Sequence, residues 1–116
     1  YREDAMKEDV CKFVNACIAK GEGENSGDTK NDRKYYQIIH AVYLKLKAEH
    51  RLDELLELLD DKNLYVKLWA AGYLLEAHPA RAEKALEELA AARGNMAGFN
   101  ASMTLKEWRA GRLKLQ

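Results

Sequence analysis

Large apolar residues recur three and four positions apart along most of this chain, the spacing of one face of an α-helix, and this periodicity limits the fold more than any other feature. Met6, Val10, Phe13, Val14 and Cys17 form one such stripe between Asp4 and Lys20, with Glu3 and Asp4 in its first turn. A second runs from a cap at Asn31 or Asp32 to about Ala48 through Tyr35, Tyr36, Ile38, Ile39, Val42, Tyr43 and Leu46. Leu52, Leu55, Leu56, Leu58 and Leu59 predict a short amphipathic helix with Asp53, Glu54 and Glu57 on its other face, followed by the turn Asp60-Asp61-Lys62-Asn63. Asn63 caps a fourth helix through Val66, Leu68, Trp69, Ala70, Tyr73, Leu74 and Leu75, which ends at Ala77-His78-Pro79 because the residue before proline leaves the helical region. Pro79 suits the first turn of a fifth, with Ala82, Ala85, Leu86, Leu89 and Ala92 inward, Glu83, Glu87 and Glu88 outward, and Gly94 closing it. A sixth spans about Ala97 to Ala110, with Gly98 near its start and Gly111 at its end. One proline and seven glycines in 116 residues, among abundant Ala, Leu, Glu and Lys, agree with an all-α protein of about six helices.

The segment from Gly21 to Asn31 reads GEGENSGDTKN, with three glycines and no large apolar side chain, and predicts a mobile loop. The expected organisation is therefore one domain over 1–116: an N-terminal capping helix over 1–20, the loop over 21–31, and helical repeats over 32–116. Val10, Phe13 and Val14 would pack the capping helix on Ile38 and Val42. At 47% apolar and 33% charged, the composition suits a single compact domain rather than disorder. No run of eighteen apolar residues occurs and the chain opens on Tyr1-Arg2-Glu3-Asp4, so neither a membrane span nor a signal peptide is expected, and a cytoplasmic protein follows.

The helix pairs repeat. Shifting by thirty residues lays Tyr36, Ile39, Tyr43 and Leu44 over Val66, Trp69, Tyr73 and Leu74. Roughly another thirty-three brings Phe99 and Met103 onto Val66 and Ala70, the start of an incomplete third repeat. Such a period is the mark of an α-solenoid, in which each pair leans its apolar face on the next. The run from Leu58 to Ala71, LLDDKNLYVKLWAA, resembles the core of a HEAT repeat: a leucine-rich helix end, an acidic or Asn turn, then Val, a basic residue and a small pair. Tyr73-Leu74-Leu75-Glu76, Ala85-Leu86-Glu87-Glu88-Leu89 and Met103-Thr104-Leu105-Lys106-Glu107-Trp108-Arg109 are similar to a group of small bacterial HEAT-like domains without an assigned function. The resemblance implies a short right-handed α-solenoid. Through those members that look like immunity partners of secreted toxins, it also implies a toxin-neutralising role, with no catalytic residue to carry over.

The residues themselves offer little chemistry. His40, His50 and His78 lie on separate elements, none with a carboxylate or cysteine at ligand spacing, and are read as structural. Cys11 and Cys17, six apart on one helix, point to faces about 120° apart, so a disulfide is not expected and both are read as small buried hydrophobes. No GxxxxGK[ST], GxGxxG or GxSxG motif occurs. Asp60-Asp61 is read as turn chemistry rather than a calcium loop, and the Tyr and Trp residues as core, with Tyr35 exposed. A non-enzyme without metal or cofactor is expected.

Charge, by contrast, is segregated. Nineteen basic residues balance nineteen acidic ones, but four basic and seven acidic fall in 1–29, five and two in 30–50, five and nine in 51–92, and five and one in 93–116. The segments carry near −3, +3, −4 and +4. In a HEAT-like stack the second helix of each pair lines the concave side, and here those helices would expose Asp53, Glu54 and Glu57, then Glu83, Glu87 and Glu88. These six residues are the expected partner-binding face, acidic and suited to a basic protein. Two other readings stay open: self-association through the apolar end faces of an incomplete solenoid, and phosphate contact by Arg109, Arg112 and Lys114 with Lys45 and Lys47.

Overall fold

A computed structural model describes residues 4–92 and 95–113, with side chains from residue 8 onward. The protein is all-α: α1 is Asp4–Ser26, α2 Asp32–Ala48, a 3-10 segment covers Leu52–Asp60, and α3, α4 and α5 are Leu64–Leu74, Pro79–Ala91 and Met96–Arg109. No strand occurs among the described residues. The chain divides into two compact units between Glu54 and Leu55.

In the first unit α1 packs on α2. Phe13 and Cys17 of α1 and Ile39, Tyr43 and Leu46 of α2 are almost completely buried, while Val10 and Val14 are half-buried. Ion pairs join opposite ends of the two helices. Asp9 near the start of α1 meets Lys45 near the end of α2, and Lys20 meets Asp32 at 2.9 Å at the other end, so the helices run antiparallel.

The segment expected as a loop from Gly21 is helical for six further residues, to Ser26. Buried Lys20 reaches Glu24 one turn ahead at 3.0 Å as well as Asp32, which holds that last stretch in helix. The glycine at 23 reflects crowding rather than chain termination: a Cβ there would lie 2.5 Å from the carbonyl oxygen of Asp28, where the chain doubles back. The true connection is short, turned at Gly27 with φ +82° and tightened by Asp28 Oδ1, which accepts from the Lys30 amide.

Leu52–Asp60 is a 3-10 helix rather than an α-helix. Leu52, Leu55 and Leu58 recur every three residues, which eclipses them on one line in a 3.0-residue turn, and Leu55, Leu58 and Leu59 are buried.

In the second unit α3, α4 and α5 touch one another. Asn63 caps α3 as expected, its side chain accepting from the amides of Tyr65 and Val66 at 3.0 and 3.1 Å. α3 stops at Leu74, before the Ala77-His78-Pro79 end read from the sequence, and Pro79 opens α4. Asn95 caps α5 by accepting from the Gly98 amide at 2.6 Å. The closing role expected of Gly94 and the N-terminal role of Glu3 lie outside the described residues, as do Lys114 and the side chain of Met6. Lys67 of α3 pairs with Glu88 near the end of α4, and Glu83 near the start of α4 pairs with Arg109 at the end of α5, so successive helices are antiparallel.

Burial revises the repeat. The thirty-residue shift lays exposed Tyr36 and Leu44 over buried Val66 and Leu74. A shift of twenty-seven matches better, setting Ile39, Val42, Tyr43 and Leu46 against Val66, Trp69, Ala70 and Tyr73, of which only Trp69 is not buried. Phe99 and Met103 likewise do not occupy core positions. Ala97, Gly98, Ala101 and Leu105 do.

A Cβ on Gly98 would sit 2.6 Å from the carbonyl oxygen of Ala92 and 2.8 Å from that of Leu89, both backbone atoms. Gly72, inside α3, has nothing within 4 Å of the same position. Gly98→Ala is expected to cost about 1–3 kcal/mol by overpacking, whereas Gly72→Ala should stabilise by about 0.5–1 kcal/mol through lower chain entropy. Urea unfolding of both variants measures the contrast.

Candidate functional site

The six acidic residues are placed individually. Asp53 and Glu57 are exposed on the 3-10 segment, and Glu54 is half-buried. Glu54 takes both Nε and Nη2 of Arg51, at 2.8 and 3.1 Å. Glu83 accepts from Trp108 Nε1 at 3.1 Å and from Arg109, Glu87 accepts from Arg109 at 2.6 Å, and Glu88 holds Lys67 at 2.8 Å. Glu54, Glu83, Glu87 and Glu88 are thus engaged by cations of their own unit. The Lys67 hydrogen bond lowers the Glu88 pKa. Asp53 and Glu54 fall in the first unit and the other four in the second, and Glu54, Glu83, Glu87 and Glu88 each find their cation within their own unit.

The basic residues considered for phosphate are engaged in the same way. Arg109 is held by Glu87 and Glu83, Arg112 by Glu107, and Lys45 by Asp9, while Lys47 lies over the Tyr43 ring at 5.7 Å. His40 stacks on Tyr36 with ring centroids 5.5 Å apart, His50 sits at φ 58°, and His78 precedes Pro79 at the start of α4. Among the described residues no three His, Cys, Asp or Glu side chains gather as a metal site. Cys17 is buried as read, but Cys11 is exposed, because it lies off the face that Phe13 and Cys17 present to α2. Tyr35 and Tyr36 exchange roles: Tyr35 is half-buried and Tyr36 is exposed, since the core face of α2 is centred on Ile39 and Leu46.

Two apolar surfaces among the described residues bear on function. The first is an open groove of about 670 Å³ between α1 and α2. Ala16, Ala19, Ile38, Ala41 and Val42 form its apolar surface, Tyr35 stands at one end, and Asp9, Lys12 and Lys45 stand at the other. Asp9 is buried there, with Lys45 at 3.2 Å and Arg51 at 3.1 Å. Burial pushes the Asp9 carboxyl up, but the hydrogen bonds and charges of Lys45 and Arg51 outweigh it and hold the pKa below the usual carboxylate value.

The second is the outer face of α5. Met96, Phe99 and Met103, at spacings of three and four, are 45%, 61% and 44% exposed, on the side of the helix opposite buried Ala97, Ala101 and Leu105. Helical spacing alone, which assigns every apolar stripe to the core, hid this site. The signal that could have revealed it is side-chain size: α5 carries small residues along one face and large ones along the other.

No family model matches this chain, and no curated protein does. Among solved structures the chain is similar in fold to the protein RPA1889 of Rhodopseudomonas palustris, at 21% identity and a TM-score of 0.86, covering 93% of this chain and 91% of that one. No helix among the described residues is long and apolar enough to cross a membrane.

Asp9→Asn is expected to destabilise the fold by about 2 kcal/mol at neutral pH, the scale of a hydrogen bond to a charged group. The folded pKa is depressed, so the ionised carboxyl stabilises the fold above about pH 4 and that contribution is lost as pH falls through the folded value. Denaturation of both proteins at pH 7 and pH 3 should show the difference between them shrinking in acid.

Proposed function

We propose that this chain is a non-enzymatic, HEAT-like helical binding module that takes a protein partner on the outer face of α5. The observation that carries the reading is Phe99, the most exposed large apolar side chain among the described residues, flanked by two exposed methionines on the same face. An aromatic anchor set between flexible thioethers is the composition of a docking surface, since Met adapts to a partner's shape and a central aromatic supplies most of the contact energy. In-chain pairing of Glu54, Glu83, Glu87 and Glu88 lowers what an acidic face could offer a basic partner, such as a toxin, so the proposal rests on α5 instead. Cys11, exposed and outside any disulfide, suits a reducing compartment, and we place the protein in the cytoplasm.

A benzophenone amino acid in place of Phe99, with a second sample carrying it at exposed Lys84 of α4, tests the reading in the source cell. Irradiation is expected to give a discrete protein adduct from position 99 that is missing from position 84. No adduct from position 99, or the same adducts from both, would remove α5 as a binding face. Nucleic acid captured in place of protein would favour the basic residues.

A further inference from the structure

We infer that the protein on α5 is a second copy of this chain, whose α1–α2 groove receives the Met96–Phe99–Met103 stripe. The inference rests on the reading that the outer face of α5 binds protein, and it names that protein. The first unit holds an apolar groove without a helix in it, and the second unit holds an apolar helix face without a groove.

Their dimensions agree. The groove is lined from Asp9 to Ala19 on α1 and from Tyr35 to Lys45 on α2, eleven residues of each helix and about 15 Å. The α5 face from Met96 to Glu107 covers twelve residues, about 16 Å. Side-chain size is complementary as well. Ala16, Ala19 and Ala41 leave room along the groove, and Phe99 and the methionines are the bulky residues that fill such room.

Charge sets the direction. Both lysines of the groove, Lys12 and Lys45, stand at the end formed by the start of α1 and the end of α2, whereas the Ala19 and Tyr35 end carries no charged lining residue. Lys45 is already paired with Asp9, while among the described residues Lys12 makes no ion pair. On α5 the stripe is apolar at Met96 and ends in a carboxylate, Glu107, one turn beyond Met103. Seating Met96 near Tyr35 brings Glu107 to Lys12, with α5 parallel to the host's α2 and antiparallel to its α1. Glu107 holds Arg112 in the single chain, and its oxygens have lone pairs left for the Lys12 ammonium. The contact is heterologous, since one surface of each copy meets a different surface of the other.

Sedimentation of the full chain across a concentration series, with two variants, decides the matter. Phe99→Glu charges the stripe, and Ala41→Glu charges the groove at an exposed position, so neither change disturbs a buried side chain. The wild type should associate with rising concentration, and each variant alone should be weakened at least tenfold. Mixed in equal amounts, the variants should form a one-to-one dimer, because the Phe99→Glu copy keeps an intact groove and the Ala41→Glu copy an intact stripe. A wild type that stays monomeric into the millimolar range overturns the inference. So does association that Phe99→Glu abolishes and Ala41→Glu leaves unchanged, which would mean that two stripes meet each other. If the crosslinker at position 99 captures a different protein while the chain stays monomeric, this inference falls and the binding role of α5 stands; with no adduct at all, both fall.

Discussion

Asp9 is the buried charge around which the first unit is arranged. A carboxylate out of water costs several kcal/mol unless it is paired and hydrogen-bonded, and the two cations that offset that cost come from the end of α2 and from the residue that leads into the 3-10 segment. The start of α1 is thereby tied to the end of α2. Lys20 performs the converse task eleven residues later, tying the end of α1 to the first turn of α2. Between these two ties the helices keep one register. The surface they share on the outside is therefore a groove of constant lining rather than a seam that can slide.

The same logic explains the charge blocks of the sequence. The acidic block 1–29 and the basic block 30–50 meet as α1 and α2, and the acidic block 51–92 and the basic tail meet as α4 and α5. Each unit nearly neutralises itself. The exposed pairs, such as Arg109 with Glu87, are worth little individually, yet they favour one antiparallel arrangement over its alternatives. A linear sequence shows only that opposite charges alternate in blocks. Whether they face a partner or one another depends on which helix faces lie together, and that is settled by packing.

Most helix positions were legible because local chemistry sets them. Asn63 caps α3 through two amides, Pro79 begins α4, and the apolar stripe of Phe13 and Cys17 is buried, all without reference to the rest of the chain. What was not legible depends on contacts between distant residues. Gly21 and Gly23 read as a loop because glycine is a poor helix former, but Lys20 bound to Asp32 and the close pass of Asp28 keep that stretch helical. Tyr35 and Tyr36 differ by only 100° around α2, so their exchange of exposure turns on where α1 sits. Among the acidic residues, Glu54, Glu83, Glu87 and Glu88 have partners that lie from three to twenty-six positions away.

α5 is the element whose two faces pull in different directions. Its buried side is built from Ala97, Gly98, Ala101 and Leu105, which lets its backbone approach α4 closely enough that Gly98 has no space for a Cβ. Its exposed side bears Met96, Phe99 and Met103. Turning α5 over to bury the larger residues would gain apolar area, about 25 cal/mol for each Å² removed from water. The close approach at Gly98 would then be lost, and so would the bonds from Trp108 and Arg109 to Glu83. The observed arrangement is therefore held by the small face and the polar end of the helix, and the large face is left over. An apolar face that its own unit cannot bury favours any surface able to cover it, and in this chain a groove of matching length lies between α1 and α2.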